Sequence, residues 1–260
     1  MAIPKIIHYC WFGGNELPDQ VKQCIESWRE FCPDYEIVRW DEHNYDYTKY
    51  TFTKDAYEAK KWAFVSDVAR LDVVYRYGGI YLDTDVELLT SLDPFLENKA
   101  FMGFEQGRKV NTGLGFGAEK GNPVIKANLD VYEEILFTAD NGSIDEIACP
   151  IITTSVLEQV GLERKDVFQQ LQEITIYPTS IFCPMLFSDG TAELKEDTVS
   201  IHHYAASWTT KKEKQKMQKR VDIYTRYGKQ VLSVYDGFVL LKDKGFGSFL
   251  KRLFEKLTGR

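Results

Sequence analysis

Hydrophobic and polar positions follow two periods along this chain. Residues 3–12 (IPKIIHYCWF) are a β-branched and aromatic run closed by Gly13-Gly14, the pattern of a buried strand ended by a turn. Pro18 stands where a first helical residue belongs, and Val21, Cys24, Ile25, Trp28 and Phe31 recur at helical spacing until Pro33. Residues 35–40 (YEIVRW) alternate as a second strand. From Thr53 to Tyr77, the apolar positions Ala56, Ala59, Ala63, Phe64, Val68, Leu71, Val74 and Tyr75 keep a period near 3.6. That predicts one or two amphipathic helices, stopped by Gly78-Gly79. Ile80-Tyr81-Leu82 then reads as a short buried strand with Asp83-Thr84-Asp85 at its carboxyl end and residues 86–89 continuing it. Alternating strands and helices predict an α/β domain with a mostly parallel sheet.

Residues 100–105 and 113–118 read as short strands, and residues 122–137, with Pro123 near the start, as a helix. Residues 153–161 read as another helix, and 174–177 and 198–204 as late strands. Residues 209–220 are so rich in lysine that they belong on the surface or in a linker. The expected division is a catalytic domain over 1–210 and a basic helical region over 211–260. Within the latter, Phe246, Phe249, Leu250, Leu253, Phe254 and Leu257 form an apolar stripe, and residues 242–260 carry six Lys or Arg against two Asp or Glu. That is the pattern of an interfacial helix on anionic lipid, or of a helix packed on the catalytic domain or a partner.

Composition narrows the function classes. With 260 residues, 44% hydrophobic and 27% charged, the chain has ample material for a core. A formal charge of −7 argues against duplex nucleic acid as a partner, because that function needs a basic face. Five cysteines without a CxxC pair (Cys10, Cys24, Cys32, Cys149, Cys183) suggest neither a disulfide framework nor a zinc knot and fit a reducing cytoplasm. No secretion signal and no membrane span is expected: the most apolar stretch, Leu71 to Leu89, is broken by Asp72, Arg76, Asp83, Asp85 and Glu87.

The chemistry-bearing residues gather at a few points. Asp83 and Asp85, one residue apart at the end of a hydrophobic strand, suit a hard divalent cation with positions left open for a diphosphate. Upstream, Asp67 and Arg70 are three residues apart and share a helix face. Such a pair can grip sugar hydroxyls and phosphate, or be a surface ion pair. His202 and His203 end a late strand and face opposite ways, so one of them could complete a metal site beside the two aspartates; the bland reading is a pair of core or surface histidines. Trp11 could stack on a nucleobase and Asn111 hydrogen-bond a sugar; core packing and a plain turn are the bland readings. No GxxxxGK[ST] or GxGxxG signature occurs in the required place.

The stretches IPKIIHYCWFGG (3–14), SWREFCPDYEIVRWDE (27–42), KKWAFVSDVARLDVVYRYGGIYLDTDVELL (60–89) and IHHYAASW (201–208) resemble the DXD sugar transferases. These include bacterial capsular polysaccharide transferases and yeast initiating mannosyltransferases, and more distantly the glucosylating domain of large clostridial toxins. The resemblance implies a GT-A type, Rossmann-like nucleotide-sugar-binding fold with a helical C-terminal appendage. It also implies a nucleotide-sugar donor, expected to be a UDP-sugar, with Mn2+ or Mg2+ as cofactor. The expected reaction moves a hexose with retention onto a saccharide or lipid-linked oligosaccharide, in capsular or other surface polysaccharide synthesis. By residue, Trp11 would stack on the base, and Ser66, Asp67, Arg70, Tyr81, Asp83 and Asn111 would hold the donor. Asp83 and Asp85 would bind metal with His202 or His203, Ser207 and Trp208 would close over the diphosphate, and Asp67, Arg70, Asp83 and Asp85 would carry catalysis. The implied location is the cytoplasm, with peripheral membrane contact through residues 242–260. Two rivals are a haloacid-dehalogenase-like phosphotransferase, since IYLDTDVELL also fits its nucleophile strand, and a non-catalytic nucleotide-sugar-binding module.

Overall fold

The computed structural model describes residues 2–106, 108–137, 149–184 and 192–204. The chain divides into two units, Met1–Ala205 and Ala206–Arg260, and all described residues lie in the first. Ser207, Trp208, the lysine-rich segment 209–220 and the helix expected over 242–260 lie outside the described residues.

The first half runs β1 (Ile6–Cys10), α1 (Asp19–Phe31), β2 (Glu36–Trp40), α2 (Thr51–Glu58), α3 (Trp62–Tyr77), β3 (Gly79–Tyr81) and β4 (Val86–Leu88). It continues through β5 (Ala100–Glu105), β6 (Lys109–Val110), β7 (Phe116–Ala118), α4 (Pro123–Glu134) and α5 (Cys149–Gln159). The last elements are β8 (Gln169–Gln170), β9 (Thr175–Tyr177), α6 (Thr179–Phe182) and β10 (Ser200–His202). The main sheet has the order β2-β1-β3-β7-β5-β9-β8, with β6 added on β5. β1 pairs parallel with β2 and β3, and β5 parallel with β9, whereas β7 runs against both β3 and β5. The carboxyl ends of β1, β2, β3 and β5 therefore share one edge, where α/β folds bind ligands.

Side chains alternate across the sheet into two apolar layers. Phe52, Val65, Val68, Leu71, Ile125, Leu129, Tyr132 and Leu157 bring α2, α3, α4 and α5 onto one face, with Cys10, Tyr81, Met102 and Phe104 from the strands. Val21, Ile25 and Trp28 of α1 and Ile181 and Phe182 of α6 cover the other, with Ile7, Ile80 and Phe101. Each fully buried aliphatic side chain contributes about 1.5–3 kcal/mol to this packing.

Two local devices aim the Asp83-Thr84-Asp85 segment. The first is the Gly78-Gly79 turn between α3 and β3. At Gly79, φ is +106°, and a Cβ would stand 2.8 Å from the Ile6 carbonyl oxygen and 2.9 Å from His8 Nε2. Only glycine lets the chain pass so close to β1. The second is α1, whose fully buried Trp28 donates from Nε1 to the Val86 carbonyl at 2.8 Å, while Ser27 Oγ accepts from the Leu88 N–H at 3.0 Å. The segment after Asp85 is thereby tied to the helix before β2.

The expected continuation strand, residues 86–89, leaves the main sheet: β4 pairs antiparallel with β10 in a separate two-stranded sheet. Residues 53–77 resolve into the two helices α2 and α3, separated by Lys60 at φ +57°. All five cysteines are buried and free. Among the described residues, no helix is long and apolar enough to cross a membrane.

Candidate active site

Three elements converge at the carboxyl edge of β3. α3 supplies Ser66, Asp67 and Arg70; the loop after β3 supplies Asp83 and Asp85; and β10, set opposite β4 with His202 in register with Val86, supplies the imidazole. Asp83, Asp85 and His202 offer ligand atoms that all lie within 4.8 Å of one another, a grouping able to hold one metal ion. His202 Nε2 is 3.2 Å from Asp85 Oδ1, and its buried Nδ1 has no hydrogen-bond partner among the described residues. His203, on the opposite face of the strand end, turns away. Its Nε2 is 2.7 Å from Glu87 Oε2, so of the two histidines only His202 joins the cluster.

Arg70 is the hinge of the electrostatics. Its Nη2 donates to Asp67 Oδ1 at 2.5 Å, its Nε to the Ser66 carbonyl at 3.1 Å, and its Nη1 lies 3.5 Å from Asp83 Oδ2. The guanidinium also rests over the Tyr81 ring, 5.2 Å from the centroid, and the Tyr81 hydroxyl donates to Asp83 Oδ1 at 2.9 Å. Asp67 and Arg70 are thus a buried pair rather than a surface one, at 8% and 4% exposure. Burial pushes the Asp67 carboxyl up, against the pull of Arg70. Burial likewise pushes up Asp83, opposed by Arg70 and reinforced by the charge of Asp85. Burial disfavours protonated His202, yet its hydrogen bond to Asp85 and the carboxylates around it outweigh that cost and raise it. With the carboxylates ionised and His202 neutral, as a metal ligand must be, three carboxylates against one guanidinium leave a formal excess of two negative charges, the complement of a divalent cation.

The remaining residues expected at the site sit as follows. Ser66 spends its hydroxyl on the Trp62 carbonyl one turn back, at 3.1 Å, and orients Arg70 through its own carbonyl. Tyr81 is fully buried with its hydroxyl engaged by Asp83, so it braces that carboxylate and Arg70. Trp11 leaves the end of β1 partly buried, its Nε1 donating to the Asn15 carbonyl at 2.8 Å. Asn111 lies in the same neighbourhood: its Oδ1 accepts from the Gly113 N–H at 2.7 Å, and a Cβ on Gly113 would stand 2.5 Å from Asp83 Oδ2.

Two groups here were not singled out from the sequence. Glu105 accepts from Asn111 Nδ2 at 2.9 Å, and burial pushes its carboxyl up. Cys149 donates to Asn111 Oδ1 at 3.8 Å, and burial keeps its thiol protonated. The sequence marks Glu105 only as the last residue of an expected strand.

Residues 18–102, which carry Asp67, Arg70, Asp83 and Asp85, match the family described as "Glycosyltransferase sugar-binding region containing DXD motif". This segment is thus similar to the sugar-binding region of DXD glycosyltransferases. The chain is also similar to parts of longer proteins. An inositol phosphoceramide mannosyltransferase of Schizosaccharomyces pombe is 35% identical over 128 residues, which are 48% of this chain and 35% of that protein. A mannosyl phosphorylinositol ceramide synthase of Saccharomyces cerevisiae is 33% identical over 104 residues, 38% of this chain and 27% of that protein. The chain thus spans about a third of the length of the curated relatives it matches. Among solved structures, the PaToxG glycosyltransferase aligns at a TM-score of 0.48 and 18% identity, covering 61% of this chain and 70% of that one.

Proposed function

We propose that the protein is a metal-dependent glycosyltransferase that moves a hexose from a nucleoside-diphosphate donor onto a hydroxyl of a saccharide or glycolipid, with retention of configuration. The observation that carries this reading is the Asp83–Asp85–His202 cluster set against the buried Asp67–Arg70 pair inside a DXD sugar-binding region. The relatives named for mannosyl transfer to inositol phosphoceramide make mannose the first sugar to test and a glycolipid the first acceptor class.

The donor set fits a divalent ion. Two carboxylates and one imidazole are hard or borderline ligands, and the local excess of negative charge is what such an ion would cancel. Asp83, Asp85 and His202 would hold it, and when bound it would offset the charge on the departing diphosphate. Arg70 Nη1 is buried without a hydrogen-bond partner among the described residues and carries a charged donor toward Asp83, suited to a sugar hydroxyl or phosphate oxygen. Asp67 fixes the opposite arm of that guanidinium. Trp11, at the end of β1, would stack on the base. In the transfer, the bond between the anomeric carbon and the phosphate oxygen breaks while the acceptor oxygen attaches on the same face. The acceptor's proton passes to the departing phosphate oxygen, so the chain's residues act by positioning and charge.

Donor hydrolysis tests the reading. GDP-mannose, UDP-glucose, UDP-galactose and the UDP-N-acetylhexosamines are each incubated with manganese and with chelator. Chelator-sensitive sugar release from one donor, absent in Asp85→Ala, is expected, and the product anomer by NMR reports retention. Folded protein that neither binds nor cleaves any of these donors in manganese would sink it.

A further inference from the structure

Glu105 ends β5 at the same sheet edge as Asp83 and is half-buried. Its Oε2 holds Asn111 Nδ2, while Asn111 Oδ1 takes both the Gly113 N–H and the Cys149 thiol. An amide oxygen has two lone pairs and an amide nitrogen two hydrogens, so Asn111 keeps a single N–H for any ligand. Glu105 Oε1, in contrast, has no hydrogen bond among the described residues and keeps its accepting capacity.

This carboxylate is linked through Asn111 to Gly113, whose backbone packs against Asp83 and Arg70. Gly113, held by Asn111, is so near them that a Cβ there would lie 2.5 Å from Asp83 Oδ2 and 3.2 Å from Arg70 Nη1. His202 is within electrostatic reach of Glu105. The other acidic groups have partners: Asp67 pairs with Arg70, Asp83 with Arg70 and Tyr81, and Asp85 with His202. A hexose is rich in hydroxyl donors, and each one withdrawn from water needs an acceptor.

We propose that Glu105 is a sugar-recognition residue, whose Oε1 accepts a hydroxyl of the transferred hexose while its Oε2 holds Asn111 in place. This assignment rests on the transferase reading above.

Glu105→Gln separates the two roles, because the amide oxygen can still accept from Asn111 while the NH2 group replaces Oε1 and turns an acceptor into a donor. Calorimetric Kd values are measured in manganese for GDP, GDP-mannose, UDP and UDP-glucose with wild type and variant. The bare diphosphates are expected to bind both proteins within about twofold, and the preferred sugar nucleotide to lose about tenfold or more in the variant, as for a hydrogen bond to a charged group. Monodeoxy analogues of that sugar add a readout that a structural role would not move. One deoxy position should weaken wild type by a similar factor and leave the variant unaffected. A variant that binds the sugar nucleotide like wild type, or loses diphosphate and sugar nucleotide equally, overturns the proposal and leaves the transferase reading standing. Wild type that binds none of the four nucleotides takes both down together.

Discussion

Arg70 Nη1 lies 3.5 Å from Asp83 Oδ2, so a residue in the middle of a helix and the first carboxylate beyond the next strand are joined through the protein interior. The link is electrostatic. Arg70 is 4% exposed and is the positive partner of Asp67 as well.

Removing that guanidinium should therefore unfold the protein more easily as well as weaken its ligand binding. Arg70→Met leaves two carboxylates without their partner, a loss of about 3–5 kcal/mol for a broken buried pair. Urea unfolding should recover part of that in Arg70→Met with Asp67→Asn, because one of the stranded charges is then gone. A single variant as stable as wild type would show that solvent reaches the pair.

The two adjacent histidines should separate cleanly in metal binding. His202→Ala removes one of three clustered ligands and should weaken manganese binding by at least the roughly tenfold that losing a supporting group costs. His203→Ala removes only the partner of Glu87 and should leave manganese affinity within error. Titration followed by electron paramagnetic resonance decides it; equal losses in the two variants would mean that the strand end presents either imidazole.

His8 predicts an acid-sensitive fold. Its Nε2 is 2.8 Å from the Gly78 carbonyl oxygen, so it carries the proton, and its Nδ1 accepts from Trp40 Nε1 at 3.1 Å. A second proton would meet the indole N–H head-on, and burial already pushes the imidazole below its ordinary value. The folded state thus resists protonation while the unfolded chain accepts it. Stability is complete above the unfolded value of about 6.5 and falls as pH drops below it, by up to about 1.4 kcal/mol per pH unit. His8→Gln should be less stable at pH 8 yet lose this part of the slope between pH 7 and 5; an unchanged slope would assign it to other groups.

Much of the site was legible because its first half is local in sequence. Asp67 and Arg70 share a helix face by spacing, Gly78-Gly79 marks the turn, and a hydrophobic triplet delivers Asp83 and Asp85 to a sheet edge. Helical periodicity over residues 18–33 and 53–77 held as well: α1 and α2 each bury one face, while α3 is buried on all sides from Asp67 to Val74. What spacing could not show was pairing between distant segments. The departure of β4 from the main sheet depends on β10, and short β6 and β8 exist only through their partners on β5 and β9. The choice between His202 and His203 turned on strand register, which fixes the face a side chain takes. Glu105 is an ordinary strand-end residue in the sequence; what sets it apart is its hydrogen bond with Asn111.

The pairing of β4 with β10 also orders events in time. Both carboxylates of the cluster are in place once the third strand of the sheet has formed, whereas the imidazole arrives from a segment synthesised much later. On the ribosome, a nascent chain that has emerged only as far as α6 holds the acidic half of the cluster without its nitrogen ligand.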